Sequence, residues 1–129
     1  MKVIILAGGT GTRLSEYTKQ IPKPMVKIGR FPIIIHIIKH YLDYGFNDFV
    51  LATGYKSEAF KRYFKNYKKP KETFKTTIGK KKCNITILDT GIKSLTGGRL
   101  KRTFNFLDND DLMFTYGDGI SSVNLKRLL

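Results

Sequence analysis

The residues best suited to chemistry in this sequence are a glycine-rich run, a lysine between two prolines and an aspartate between two glycines. The run is Leu6, Ala7, Gly8, Gly9, Thr10, Gly11, Thr12 and Arg13. Its glycines permit positive φ and let backbone N–H groups approach phosphate oxygens with no Cβ in the way. Arg13 adds a fixed positive charge, so the run reads as a loop that holds the phosphates of a nucleotide. It is not a Walker P-loop, because no Gly-Lys-Ser/Thr closes it. As a dinucleotide fingerprint it is poor, with Leu14 where the third glycine belongs. Standing alone, it would be explained better as a plain glycine turn.

It does not stand alone. Lys23 lies in Pro22-Lys23-Pro24, where the prolines predict a stiffened, extended segment that presents the ammonium from a defined place. Such a cation suits the charge that develops on a phosphoryl oxygen during phosphoryl transfer. In isolation, a solvated loop lysine is the simpler explanation. Asp118, flanked by Gly117 and Gly119 after an apolar run, is a hard-oxygen ligand suited to a metal that also bridges phosphates. A turn aspartate ahead of a helix is an equal alternative on the residues alone.

The elements that must position these groups alternate. Residues 2–6 are a short apolar run ending at glycine, as in a strand buried on both faces of a parallel sheet. Ile34, Ile37, Ile38, Tyr41 and Leu42 make a helical stripe over 33–44, with Pro32 in its first turn and Gly45 at its end. Residues 49–52 read as a second strand. Ser57 is placed to cap a helix carrying Phe60, Tyr63, Phe64 and Tyr67 on one face. Residues 68–82 read as a loop or weak edge hairpin, and Ile85, Ile87 and Leu88 as a third strand. Leu100, Thr103, Phe104 and Leu107 form a helical face, residues 112–116 a fourth strand, and Ser121 or Ser122 opens a last helix. The expectation is one α/β domain over residues 1–129, Rossmann-like, with a mostly parallel sheet and helices on both faces. Ligands bind such sheets at the carboxyl ends of the strands. Segments 8–13, 53–56, 89–99 and 117–119 all fall on that edge.

The hydrophobic share of 41% fits a folded protein. The longest apolar run, 32–38, is interrupted by His36 and far shorter than a bilayer span. A single cysteine, Cys83, leaves no internal disulfide and fits a reducing cytoplasm. The net charge of +14 is densest over 56–82 and is mostly lysine. A nucleic-acid or anionic-surface patch is one reading. A solvated helix face followed by a lysine-rich loop is the simpler one, because lysine is the poorer bidentate reader of bases. His36 and His40 fall in the first helix pattern, where packing or surface roles outweigh catalysis.

Together, LAGGTGTRLSEYTKQIPKPMVKIGRFPI, GYKSEAFKRYF, DTGIKSLTGGRLKR and FTYGDG resemble the signature of the sugar-1-phosphate nucleotidyltransferases, and within them the glucose-1-phosphate cytidylyltransferase branch. The resemblance covers nearly the whole chain. It implies joining of CTP and glucose 1-phosphate into CDP-glucose, with release of pyrophosphate and use of Mg²⁺. By position, Leu6, Ala7, Gly8, Gly9 and Thr10 would line the base and ribose. Gly11, Thr12 and Arg13 would hold the triphosphate, with Lys23 beside the reacting phosphorus; Arg13 and Lys23 are the implied catalytic pair. Ser94, Thr96 and Arg99 would contact the nucleotide, Gly117 would approach the nucleoside, and Asp118 would bind the metal. The resemblance also admits a homo-oligomer.

Family members continue with a second half that supplies a sugar pocket, a Glu-Lys-Pro segment, a glycine-rich strand and a second metal-binding aspartate. No carboxylate follows Asp118 here. Three readings stay open: the N-terminal part of such an enzyme, a nucleotide-binding module that works with a partner supplying the other half, and a basic nucleic-acid-binding protein on an α/β scaffold.

Overall fold

A computed structural model describes residues 1–8, 21–91, 98, 101, 103 and 112–117. Its main sheet has five strands. Among the described residues, β1 (Lys2–Ala7) is followed by a 3₁₀ turn at Lys23–Met25 and a small antiparallel pair, β2 (Lys27–Ile28) with β3 (Phe31–Pro32). Then come α1 (Ile33–Asp43), β4 (Asp48–Thr53), α2 (Ser57–Tyr63), β5 (Phe74–Ile78), β6 (Lys81–Asp89) and β7 (Leu112–Tyr116). The spatial order is β5-β6-β4-β1-β7. β6, β4, β1 and β7 are parallel, and β5 runs antiparallel to β6.

Chain order and spatial order together locate the crevice. The parallel strands step outward from β1 to β4 to β6, and β7 then returns to the other side of β1. Strand order therefore reverses between β1 and β7, and in open α/β sheets ligands sit outside the carboxyl ends of the strands at that point.

β1 and β4 read as unbroken apolar runs because both of their faces are covered. On one face, Val3, Ile5, Phe49, Leu51, Ile85 and Ile87 pack with Ile34, Ile37, Ile38, Tyr41 and Leu42 of α1 and Phe60 of α2. On the other, Ile4, Leu6, Val50, Ala52 and Leu88 form a second cluster against which Leu112 packs. Thr103, in a helical position, is fully buried. The rest of the expected 100–107 face and the helix after Ser121 lie outside the described residues.

Two local expectations change. α2 ends at Tyr63, and Phe64 is extended (φ −88°, ψ 106°). Phe64 and Tyr67 therefore reach the core from the loop, packing on Phe74 with ring centroids 5.6 and 6.1 Å apart. Ser57 is the first helical residue and not the cap; Lys56 holds that position in a left-handed conformation (φ 52°). The segment read as a loop or weak hairpin is a true antiparallel hairpin, registered from Phe74 opposite Ile85 to Ile78 opposite Lys81. It breaks the strict alternation of strand and helix.

Candidate nucleotide-binding site

β1 delivers Leu6, Ala7 and Gly8, all buried, to the carboxyl edge. β7 runs beside it in parallel register, Leu6 opposite Tyr116. The chain then turns at Gly117, whose amide donates to the Leu6 carbonyl at 2.9 Å. A Cβ on Gly117 would stand 3.2 Å from the Ala7 Cβ, 3.2 Å from the Pro24 Cγ and 3.3 Å from the Ile5 Cγ2. A side chain here would require these neighbours to give by a few tenths of an ångström, so glycine lets the three segments close this tightly. The strand feeding the glycine run, the Pro-Lys-Pro segment and the start of Gly-Asp-Gly thus meet at the point where strand order reverses.

Lys23 departs from its expected conformation. Pro22 is extended (φ −68°, ψ 150°), but Lys23 opens a 3₁₀ turn, closed by amides donated from Met25 to the Pro22 carbonyl at 2.9 Å and from Val26 to that of Lys23 at 3.0 Å. Pro24, at the second turn position, has no N–H to leave unpaired. Pro24 and Met25 are buried and Lys23 is partly exposed, so packing beneath the lysine fixes its backbone. Ile33 then donates to the Val26 carbonyl at 2.9 Å, joining the turn to the start of α1.

On the other side of β1, the Tyr55 amide reaches the Gly8 carbonyl at 3.4 Å. Beneath it lies a buried hydroxyl group cluster that the sequence reading did not single out. Thr53 Oγ1 and Ser57 Oγ are 2.7 Å apart, Thr53 Oγ1 donates to the Leu88 carbonyl at 3.2 Å, and Thr90 Oγ1 donates to the Thr53 carbonyl at 2.8 Å. Asp89, the last residue of β6, accepts from the Gly91 amide at 3.0 Å.

Of the expected site residues, Leu6, Ala7, Gly8, Lys23 and Gly117 are described, and their segments converge. Gly9, Thr10, Gly11, Thr12, Arg13, Ser94, Thr96, Arg99 and Asp118 lie outside the described residues. Among the described residues, no three His, Cys, Asp or Glu side chains group as a metal site. Two cavities of about 390 and 380 Å³ flank β5, and no expected site residue lines them. His36 Nε2 donates to the Ile28 carbonyl at 2.8 Å, and His40 stacks edge-on against Tyr41 and Tyr44. In the basic stretch, Lys61, Lys69 and Lys81 pair with Glu58, Glu72 and Asp43.

The family model described as Nucleotidyl transferase matches residues 2–129. The chain belongs to that family. It is 44% identical, over its whole length, to the glucose-1-phosphate cytidylyltransferase of Salmonella typhimurium, of which it covers 54%. It is 35% identical, over 99% of its length, to the D-glycero-alpha-D-manno-heptose 1-phosphate guanylyltransferase of Campylobacter jejuni, covering 52% of that protein. Among solved structures, HddC from Yersinia pseudotuberculosis, complexed with GMP-PN, superposes with a TM-score of 0.76 at 23% identity, over 98% of this chain and 52% of that one. That likeness establishes the fold. The chain spans about half the length of the curated relatives it matches. No helix among the described residues is long and apolar enough to cross a membrane.

Proposed function

We propose that this chain is the nucleotide-binding half of a sugar-1-phosphate nucleotidyltransferase that moves CMP from CTP to glucose 1-phosphate. The observation that carries the reading is the closure of Gly117 on Ala7 and Pro24 at the reversal of strand order. It brings together the three sequence motifs that one nucleotide would have to touch. The choice of CTP and glucose 1-phosphate leans on the 44% relative; the guanylyltransferase at 35% is the measure of how far base and sugar vary among the matches.

In the proposed reaction, a phosphate oxygen of glucose 1-phosphate attacks the α-phosphorus of CTP in line. The bond from that phosphorus to the bridging oxygen breaks, and pyrophosphate leaves with the electron pair. No protein nucleophile is needed. Leu6 to Thr10 line the base and ribose, Gly11, Thr12 and Arg13 hold the triphosphate, and Arg13 and Lys23 neutralise charge that grows on the phosphoryl oxygens. Ser94, Thr96 and Arg99 contact the nucleotide from the second loop, while Gly117 approaches the nucleoside. Asp118, one residue beyond Gly117, offers the hard oxygen that Mg²⁺ prefers, and the ion would supply further neutralisation of the phosphates. The lone cysteine supports a reducing, cytoplasmic setting.

Competition binding with CTP, GTP, UTP and dTTP tests the base, and CTP is expected to win. A win for another triphosphate replaces the cytidylyl assignment but keeps the wider one; no binding of any triphosphate overturns the reading. A second reading, a module that needs its other half supplied in trans, is favoured by β7, which pairs only with β1 among the described residues and exposes Phe114 and Tyr116.

A further inference from the structure

Three hydroxyls at the carboxyl edge are buried deeply enough to need an explanation: Thr53 is 0%, Ser57 5% and Thr90 2% exposed. Burying a hydroxyl is unfavourable unless it is paired, and a valine would fill the same volume. Here all three are paired, and their donors can be assigned. Thr53 Oγ1 gives its one proton to the Leu88 carbonyl, so the 2.7 Å contact with Ser57 requires Ser57 to donate to Thr53. From the opposite side, Thr90 donates twice to the Thr53 carbonyl, through its amide at 2.7 Å and its hydroxyl at 2.8 Å. Backbone and side chain of Thr90 are both fixed by one acceptor.

The place of this cluster matters more than its strength. Thr53 ends β4 and lies in register between Ala7 of β1 and Asp89 of β6. Two residues on from Thr53, Tyr55 donates to the Gly8 carbonyl. Two residues on from Thr90, segment 92–99 begins. We propose that Thr53, Ser57 and Thr90 are positioning residues: a hydroxyl clamp that holds the exit of β6 at Thr90 against the exit of β4, which Tyr55 ties to Gly8 at the end of β1, so that the strand ends leading to the nucleotide-binding segments keep a fixed spacing. The proposal rests on the reading that these segments bind nucleotide, and it assigns the work of aligning them to residues that do not touch it.

The test compares the 129-residue chain with Thr90→Val, Thr90→Ser and Thr53→Val. Amide hydrogen exchange is followed over peptides covering 88–99 and 2–8, and CTP affinity is measured by calorimetry. The clamp requires faster exchange over 88–99 in both valine variants, wild-type exchange in Thr90→Ser, and little change over 2–8. Unchanged exchange in the valine variants overturns it, whatever the nucleotide result. Its role in binding requires CTP affinity to fall about tenfold in Thr90→Val, the scale of one net hydrogen bond, and to recover in Thr90→Ser. Faster exchange with unchanged affinity would make the cluster structural only and would overturn the positioning role. Failure of the wild type to bind any triphosphate counts against the nucleotide reading, while the exchange data still decide the clamp.

Discussion

Gly117 and Leu6 are joined by a 2.9 Å hydrogen bond from the Gly117 amide to the Leu6 carbonyl, directly where β1 hands over to the glycine run. The contact ties the end of β7 to the end of β1 across the reversal in strand order. It also holds Gly117 against Pro24, so the turn that carries Lys23 is packed on the same point.

Gly117→Ala is therefore expected to be costly. The added methyl would meet Ala7 Cβ and Pro24 Cγ at 3.2 Å, so atoms held by a strand and a ring would have to give by a few tenths of an ångström. We expect a stability loss of about 1–3 kcal/mol, the range for an overpacked interior. A denaturant midpoint unchanged from wild type would show that the edge can relax. Nucleotide affinity of the folded fraction should fall as well, because the three segments would be forced apart.

Lys23→Ala should weaken CTP and CMP binding alike. Its backbone is fixed by the buried Pro24 and Met25, so removing the side chain leaves the turn's own hydrogen bonds in place. A lysine beside the α-phosphorus serves a phosphate that both ligands carry and that cytidine lacks. Loss of one charge-assisted contact predicts CTP and CMP binding weaker by about tenfold to a hundredfold, with cytidine unchanged. A loss for CTP with CMP unchanged would place Lys23 at the β- and γ-phosphates, away from the reacting phosphorus.

Cys83 gives a pH-dependent prediction with a definite sign. Burial in the third position of β6 pushes its thiol up from near 9 to about 11. The folded chain thus keeps its proton more tightly than the unfolded chain. This contribution to stability is fully present below pH about 9 and is lost as pH rises toward about 11. The same burial keeps the thiol protonated and shielded at neutral pH. A disulfide-exchange reagent at pH 7.5 should label the denatured chain at once and the native chain only slowly; rapid native labelling would contradict the burial.

Much of this was legible in the sequence, for identifiable reasons. β1, β4 and β7 are mostly apolar runs closed by glycine or threonine, and α1 carries a stripe that all lands in the core. What was illegible depended on long-range partners. The β5–β6 hairpin hides in lysine-rich sequence because, over its paired residues 74–85, only Phe74, Ile78, Cys83 and Ile85 face the core. The turn at Lys23 replaces an extended segment because Pro24 and Met25 find apolar cover, which proline stiffness alone does not foretell. The Thr53–Leu88 and Thr90–Thr53 hydrogen bonds leave no local pattern, because they span 35 and 37 residues.

Among the described residues, the two outer strands of the sheet differ in a way that bears on activity. On β5, Lys75 is exposed and its carbonyl accepts the Asn66 amide at 2.7 Å, devices that discourage further pairing. On β7, Leu112–Tyr116 has no charge, and Phe114 and Tyr116 are more than half exposed. An uncharged, β-prone edge of this kind is a template for another strand. We therefore expect the 129-residue chain alone to bind nucleotide yet release little pyrophosphate from CTP and glucose 1-phosphate. Co-expression with the unmatched half of the Salmonella typhimurium relative should raise that activity. Phe114→Lys, on the exposed face, should weaken this complementation by about tenfold, as a charge on an edge strand disfavours pairing, while leaving CTP binding near wild type. Full activity of the chain alone, or complementation indifferent to Phe114→Lys, would remove β7 as the joining edge.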